Sequence, residues 1–114
     1  MKGHWHLGAR AAAALPLPEG RRSAEVLRHG SLEVRYYAPK AADSQTPHER
    51  DEVYVIAQGR GTFVRGTERV TFEPGDMFFV PAKVEHRFEK FSPNFATWVF
   101  FYGPEGGERE NPFV

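Results

Sequence analysis

The 114-residue chain contains no cysteine. Disulfide staples, thiolate metal ligands and thiol nucleophiles are therefore excluded, and any transition metal must be held by histidine and carboxylate side chains. An excess of charge of either sign is also missing, since 15 Lys and Arg face 15 Asp and Glu. The basic residues are scattered among acidic ones, which removes the electrostatic footprint of a nucleic-acid binder. No apolar run approaches the roughly 18 residues of a membrane span. The nearest approach, "LGARAAAALPLP", is interrupted by Arg10 and lacks a convincing charged start and cleavage site, so it reads as a short helix or extended arm. The expectation is a cytoplasmic protein with neither nucleic acid nor membrane as partner.

What the chain has is apolar and aromatic. Forty per cent of its residues are hydrophobic and ten are Phe, enough to fill one core but not two. The composition divides the chain into an Ala- and Pro-rich arm (1–22), a single domain (23–103) and a Gly- and Glu-rich tail (104–114). Within the domain, short β-branched and aromatic runs predict strands at 23–29, 32–38, 52–57, 61–65, 68–73, 77–80, 85–90 and 95–102. "AQGRG" (57–61) and "RGTE" (65–68) read as hairpin loops, and "EPGD" (73–76) as a type II turn. So many reversals predict an all-β barrel or jelly roll.

The run "FATWVFFY" (95–102) is apolar on both alternating sets of side chains. A strand covered on one side only would alternate. One face is expected to fill the barrel; the other must be covered by the N-terminal arm or by a second copy, and a homodimer is the preferred expectation.

Two fragments carry the chemistry. In "TPHERDEVYV" (46–55), His48 and Glu52 stand four residues apart. If both lie in the strand, even spacing puts them on one face with Tyr54 and Ile56. A solvated loop His and Glu would give the same spacing. In "GDMFFVPAKVEHRFEK" (75–90), a proline ends one strand and His86 opens the next, on the same face as Phe88. A histidine among apolar neighbours needs partners for its ring nitrogens, either a metal or a hydrogen-bonding side chain such as Glu52.

The two fragments resemble the paired motifs of the cupin superfamily. The first family motif runs Gly, five residues, His-x-His, three or four residues, Glu, six residues, Gly; here His48, Glu52 and Gly59 keep the spacing, with Thr46 at the first histidine. The second runs Gly, five residues, Pro-x-Gly, two residues, His, three residues, Asn; here Gly75, Pro81 and His86 match, with Lys83 for the glycine and Lys90 for the asparagine. The similarity extends over Leu32 to Tyr102 and, through "HGSLEV" and "FYGPEGGE", to small stand-alone bacterial cupins of unassigned function.

The resemblance implies a double-stranded β-helix, the cupin jelly-roll barrel, with a divalent metal ion inside it (Fe, Zn, Mn or Ni) held by His48, Glu52 and His86. Asp43 and Gln45 are candidate substitute oxygen donors for the position of Thr46. Two imidazoles and a carboxylate match a facial triad with open positions for a small-molecule ligand. For an enzyme acting on a small organic acid or carbonyl compound, Tyr54 or a bound water is the candidate acid or base. The alternatives are a non-catalytic sensing or binding module, metal-bound or metal-free, and a metal-free isomerase with His86 as base. Tyr54, Phe63, Phe79, Phe88, Trp98 and Phe100 are candidate wall residues, and Gln58, Arg65 and Arg87 candidate polar groups of the pocket. "HWH" (4–6) and His29 are expected to be incidental. Glu49, Arg50 and Asp51 are expected to form a solvated rim, unless Arg50 orients an anionic ligand.

Overall fold

The computed structural model describes residues 1–110; the last four residues of the expected tail, 111–114, lie outside the described residues. Two short elements, β1 (Lys2–Gly3) and α1 (Ala9–Ala13), precede the strands β2 (Ser23–His29), β3 (Leu32–Tyr37), β4 (Asp51–Gln58), β5 (Gly61–Arg65), β6 (Glu68–Phe72), β7 (Met77–Val80), β8 (His86–Glu89) and β9 (Ala96–Tyr102). Six strands form one sheet in the order β1-β2-β3-β9-β4-β7, and three form a second in the order β6-β5-β8. Every pairing is antiparallel. The strands thus fall where the alternating runs predict them, within a residue or two, and build a jelly roll. Only β1 is new, being too short to leave a pattern.

One of the two expected hairpins changes role. "RGTE" closes a two-residue hairpin, with Arg65 opposite Glu68. "AQGRG" instead turns the chain from one sheet to the other, because β4 pairs with β7 and β9 while β5 pairs with β6 and β8. The corner is tight at Gly59, whose φ is +89° and where a Cβ would come within 2.5 Å of Phe95 Cα. "EPGD" keeps its geometry: Gly75 sits at φ +94° and the Asp76 N–H donates to Glu73 O at 3.2 Å. It too crosses between the sheets.

Between the sheets lies an aromatic core of Tyr37, Tyr54, Ile56, Phe63, Phe72, Val80, Phe88, Phe95 and Val99. The outward face of the long sheet carries a second cluster, in which Ala12 of α1, flanked by Leu7 and Leu15, packs with Val26, Val34, Tyr36, Trp98 and Phe100. The arm therefore covers in the same chain the apolar face that suggested a second copy. Three of the expected wall residues, Tyr54, Phe63 and Phe88, are in the core, whereas Trp98 and Phe100 lie under the arm and Phe79 is 40 % exposed. Strand β7 is apolar on both faces, and only its register, Val53 opposite Phe79 and Glu52 opposite Val80, decides which side points in.

The expected solvated rim is also corrected. Asp51 is 5 % exposed and accepts backbone N–H bonds from Ala82 at 2.9 Å and Glu108 at 2.8 Å, tying the loop after β7 and the start of the tail to β4. Arg50 is committed to the carbonyls of Gly103 and Ser31 and is not free to orient a ligand. Asp51→Ala strands two backbone donors and should cost about 2 kcal/mol, read as a lower urea midpoint at unchanged m-value.

Candidate metal centre

Each component of the site comes from a different part of the chain. Strand β4 of the long sheet presents Glu52 and Tyr54 on its inward face, and β8 of the short sheet presents His86. His48 does not belong to the strand, because β4 begins only at Asp51; it arrives from the preceding loop. The Lys83 N–H donates to His48 O at 2.6 Å, fastening that loop to the second motif. The even-spacing argument for His48 therefore fails, although the residue reaches the expected place.

The donor atoms of His48, Glu52 and His86 all lie within 4.8 Å of one another. His86 Nε2 is 2.8 Å and His48 Nε2 3.8 Å from Glu52 Oε1. Glu52 is 1 % exposed, and neither carboxylate oxygen has a hydrogen-bond partner among the described residues. His86 Nε2, at 2.8 Å, is near enough to pair with it electrostatically. A buried carboxylate in this condition is costly unless a cation meets it. Both imidazoles are suited to serve beside it. His86 Nδ1–H donates to Val84 O at 2.8 Å, which leaves Nε2, on the side of Glu52, as the nitrogen that would meet a metal ion. Burial pushes the His48 imidazole below its ordinary pKa, so it is neutral and able to ligate. Burial alone would also lower His86, but Glu52 and the Val84 carbonyl carry it above its ordinary value. The residues fit a divalent ion.

Around these three, Tyr54 OH lies 3.0 Å from His86 Nε2 and donates to Gln45 Oε1 at 3.1 Å. Burial, reinforced by Glu52, raises its pKa well above the ordinary tyrosine value. At neutral pH it holds its proton. A pocket of about 100 Å³ opens beside the carboxylate, lined by Arg22, Tyr37, Gln45, Thr46, Val99 and Phe101 as well as His48, Glu52 and Tyr54. Thr46, at the family's first histidine, faces this same pocket.

The structure does not bring Gln58, Arg65 or Arg87 to the site. Gln58 is exposed at the end of β4, Arg65 binds Phe79 O and Glu68, and Arg87 binds Glu89. His29 is exposed at the β2–β3 turn, and His4 and His6 are exposed in the arm. Asp43 is not at the centre; it accepts from Tyr37 OH, Phe88 N and Gln45 Nε2. Tyr37, Val99 and Phe101 line the pocket without being among the expected wall residues, and so does Arg22. It stands at the arm's last position, and no local pattern distinguishes it from Arg21.

Lys83 and Lys90, where the cupin motif has glycine and asparagine, both adopt left-handed backbone, with φ +69° and +50°. The turns kept their shape when the residues that favour it were lost, at a cost of about 1–2 kcal/mol each. Lys83→Gly should relieve most of this and raise stability by roughly 1 kcal/mol, read from the urea midpoint.

A two-sheet antiparallel barrel with a His/Glu/His cluster inside it defines the class of protein. The sequence profile of the cupin domain matches residues 33–102, and the chain belongs to that family. It is 37 % identical over 83 residues to an uncharacterised protein of Streptomyces coelicolor, covering 71 % of this chain and 79 % of that one. A cupin-2 domain protein from Shewanella frigidimarina has a similar fold, with a TM-score of 0.65 at 13 % identity over 85 % of this chain and 94 % of the other. A crystal structure reported for the DMSP lyases RdDddP and RnDddQII matches with a TM-score of 0.58 at 26 % identity, covering 68 % of this chain and 41 % of that one.

Proposed function

We propose that the protein is a metal-dependent enzyme that binds one divalent ion through His48, Glu52 and His86 and acts on a small organic acid. The observation that carries the metal is the buried Glu52 carboxylate, without a hydrogen-bond partner among the described residues and flanked by two imidazoles. A bound divalent ion would supply Lewis-acid polarisation of a carboxylate or carbonyl oxygen of the substrate. Arg22 supports an acid as substrate: it is a cationic residue lining the pocket, and its guanidinium is tethered to Ser44 O at 2.8 Å. Tyr37, Val99 and Phe101 give the pocket an apolar wall that limits water. The pocket's size, about 100 Å³, suits a small ligand. Tyr54, which keeps its proton, serves as a hydrogen-bond donor or general acid rather than a base. Similarity to a lyase structure supports turnover over simple binding.

The test is turnover of a panel of short carboxylic acids by protein loaded in turn with iron, zinc, manganese or nickel. Arg22→Ala should raise KM for acids about 10-fold or more without changing metal content. Tight binding of an acid with no turnover under any metal would make the protein a binding module.

A further inference from the structure

We propose that Gln45 is a fourth protein ligand of the metal centre, standing in for the histidine absent at Thr46. The inference rests on the metal-binding reading above and adds a residue to it. Gln45 Oε1 lies 3.1 Å from His48 Nε2 and accepts from Tyr54 OH at 3.1 Å. It is an oxygen donor already among the ligands.

The direction of the amide is fixed rather than free. Gln45 Nε2 donates to Asp43 Oδ2 at 2.6 Å, and a carboxylate accepts only from the NH₂ side of the amide. The carbonyl oxygen must therefore face the histidines. Asp43 is anchored in turn: its Oδ2 also accepts the Phe88 N–H at 2.8 Å, two residues beyond His86, and its Oδ1 accepts from Tyr37 OH and, at 3.4 Å, from the Gln45 N–H. Carboxylate partners of this kind orient ligands at metal sites.

The metal changes only one of these bonds. In its absence, a proton on His48 Nε2 can be shared with Gln45 Oε1. A metal ion takes the Nε2 lone pair, and that proton cannot remain. Gln45 Oε1 then keeps the Tyr54 hydroxyl on one lone pair and has the other free for the ion. The shifted position also explains how the chain retains a polar donor set after its motif lost a histidine. The substitute is the residue next to Thr46, held toward the histidines by the Asp43 anchor.

The experiment compares wild type with Gln45→Leu and Gln45→Glu, measuring zinc affinity by competition with a chromophoric chelator and the visible absorption of the cobalt(II)-loaded proteins. Gln45→Leu, similar in size, should lose about 100-fold in zinc affinity and change the position and intensity of the cobalt bands, whereas Gln45→Glu, which keeps an oxygen there but loses the N–H bonded to Asp43, should recover part of the affinity. Zinc affinity and cobalt spectrum both unchanged in Gln45→Leu, with wild type binding tightly, would overturn the role of Gln45 and leave the His/Glu/His centre standing. No zinc or cobalt binding by wild type would overturn both. Should Gln45→Leu fail to fold, a cobalt spectrum of Gln45→Glu identical to wild type overturns the proposal, and a shifted one supports it.

Discussion

Replacing His48 and His86 together by alanine should cut divalent-metal affinity by about four orders of magnitude. The estimate takes roughly 3 kcal/mol for each ligand from the free energy of four-ligand zinc sites. Measured by plasma mass spectrometry on tag-free protein, near-stoichiometric metal in wild type should fall to background in the variant. The double variant leaves Glu52 buried with neither imidazole, and its stability will suffer as well. Glu52→Gln is therefore the companion: nearly the same shape, no charge, and the ligand that both histidines share. With metal at about a thousand times its Kd, wild type should gain about 4 kcal/mol and on the order of 15 °C in Tm, and Glu52→Gln should lose nearly all of that gain. Equal metal content in wild type and both variants would end the three-residue centre.

The largest effect on the fold itself is expected at Phe88. Its ring is 2 % exposed and has the rings of Phe95, Phe63 and Tyr54 at centroid distances of 4.7, 4.8 and 4.9 Å, so its loss empties the middle of the core. Phe88→Ala should cost about 3–5 kcal/mol, a large part of what a domain of this size has. The same strand face carries His86, so metal affinity should fall with stability. A chemical denaturation curve checks the first effect, and a midpoint shift under 1 kcal/mol would mean that the core collapses around the gap. Restored metal binding in Phe88→Leu would separate packing from ligation.

The strands and the members of the His48, Glu52 and His86 cluster could be read from the chain because they are periodic or spaced. Alternation places Tyr54 and Glu52 on one face of β4, and His86 and Phe88 on one face of β8, whatever the rest of the fold does. What could not be read depends on contacts between distant segments. Asp51 looked like one more charge in "ERDE", and only the Ala82 and Glu108 amides make it a buried acceptor. Phe79 looked like Phe78 until register turned one inward and one out. Arg22 sits outside the motifs, and its place at the pocket follows from how distant segments meet. The dual apolarity of β9 was legible, but the identity of its cover was not; the arm packs Ala12, Leu7 and Leu15 onto that face.

The placement of Glu52 and His86 on different sheets has a dynamic consequence. Global unfolding requires the two sheets to separate, and an ion held by both would close the 33-residue stretch of chain between Glu52 and His86. If the barrel opens before its strands dissolve, the ion must be released ahead of the rate-limiting step. Metal loading should then slow unfolding and lengthen survival against a protease by more than it speeds refolding. The centre would act as a latch on the barrel, with a lifetime set by how quickly the ion leaves.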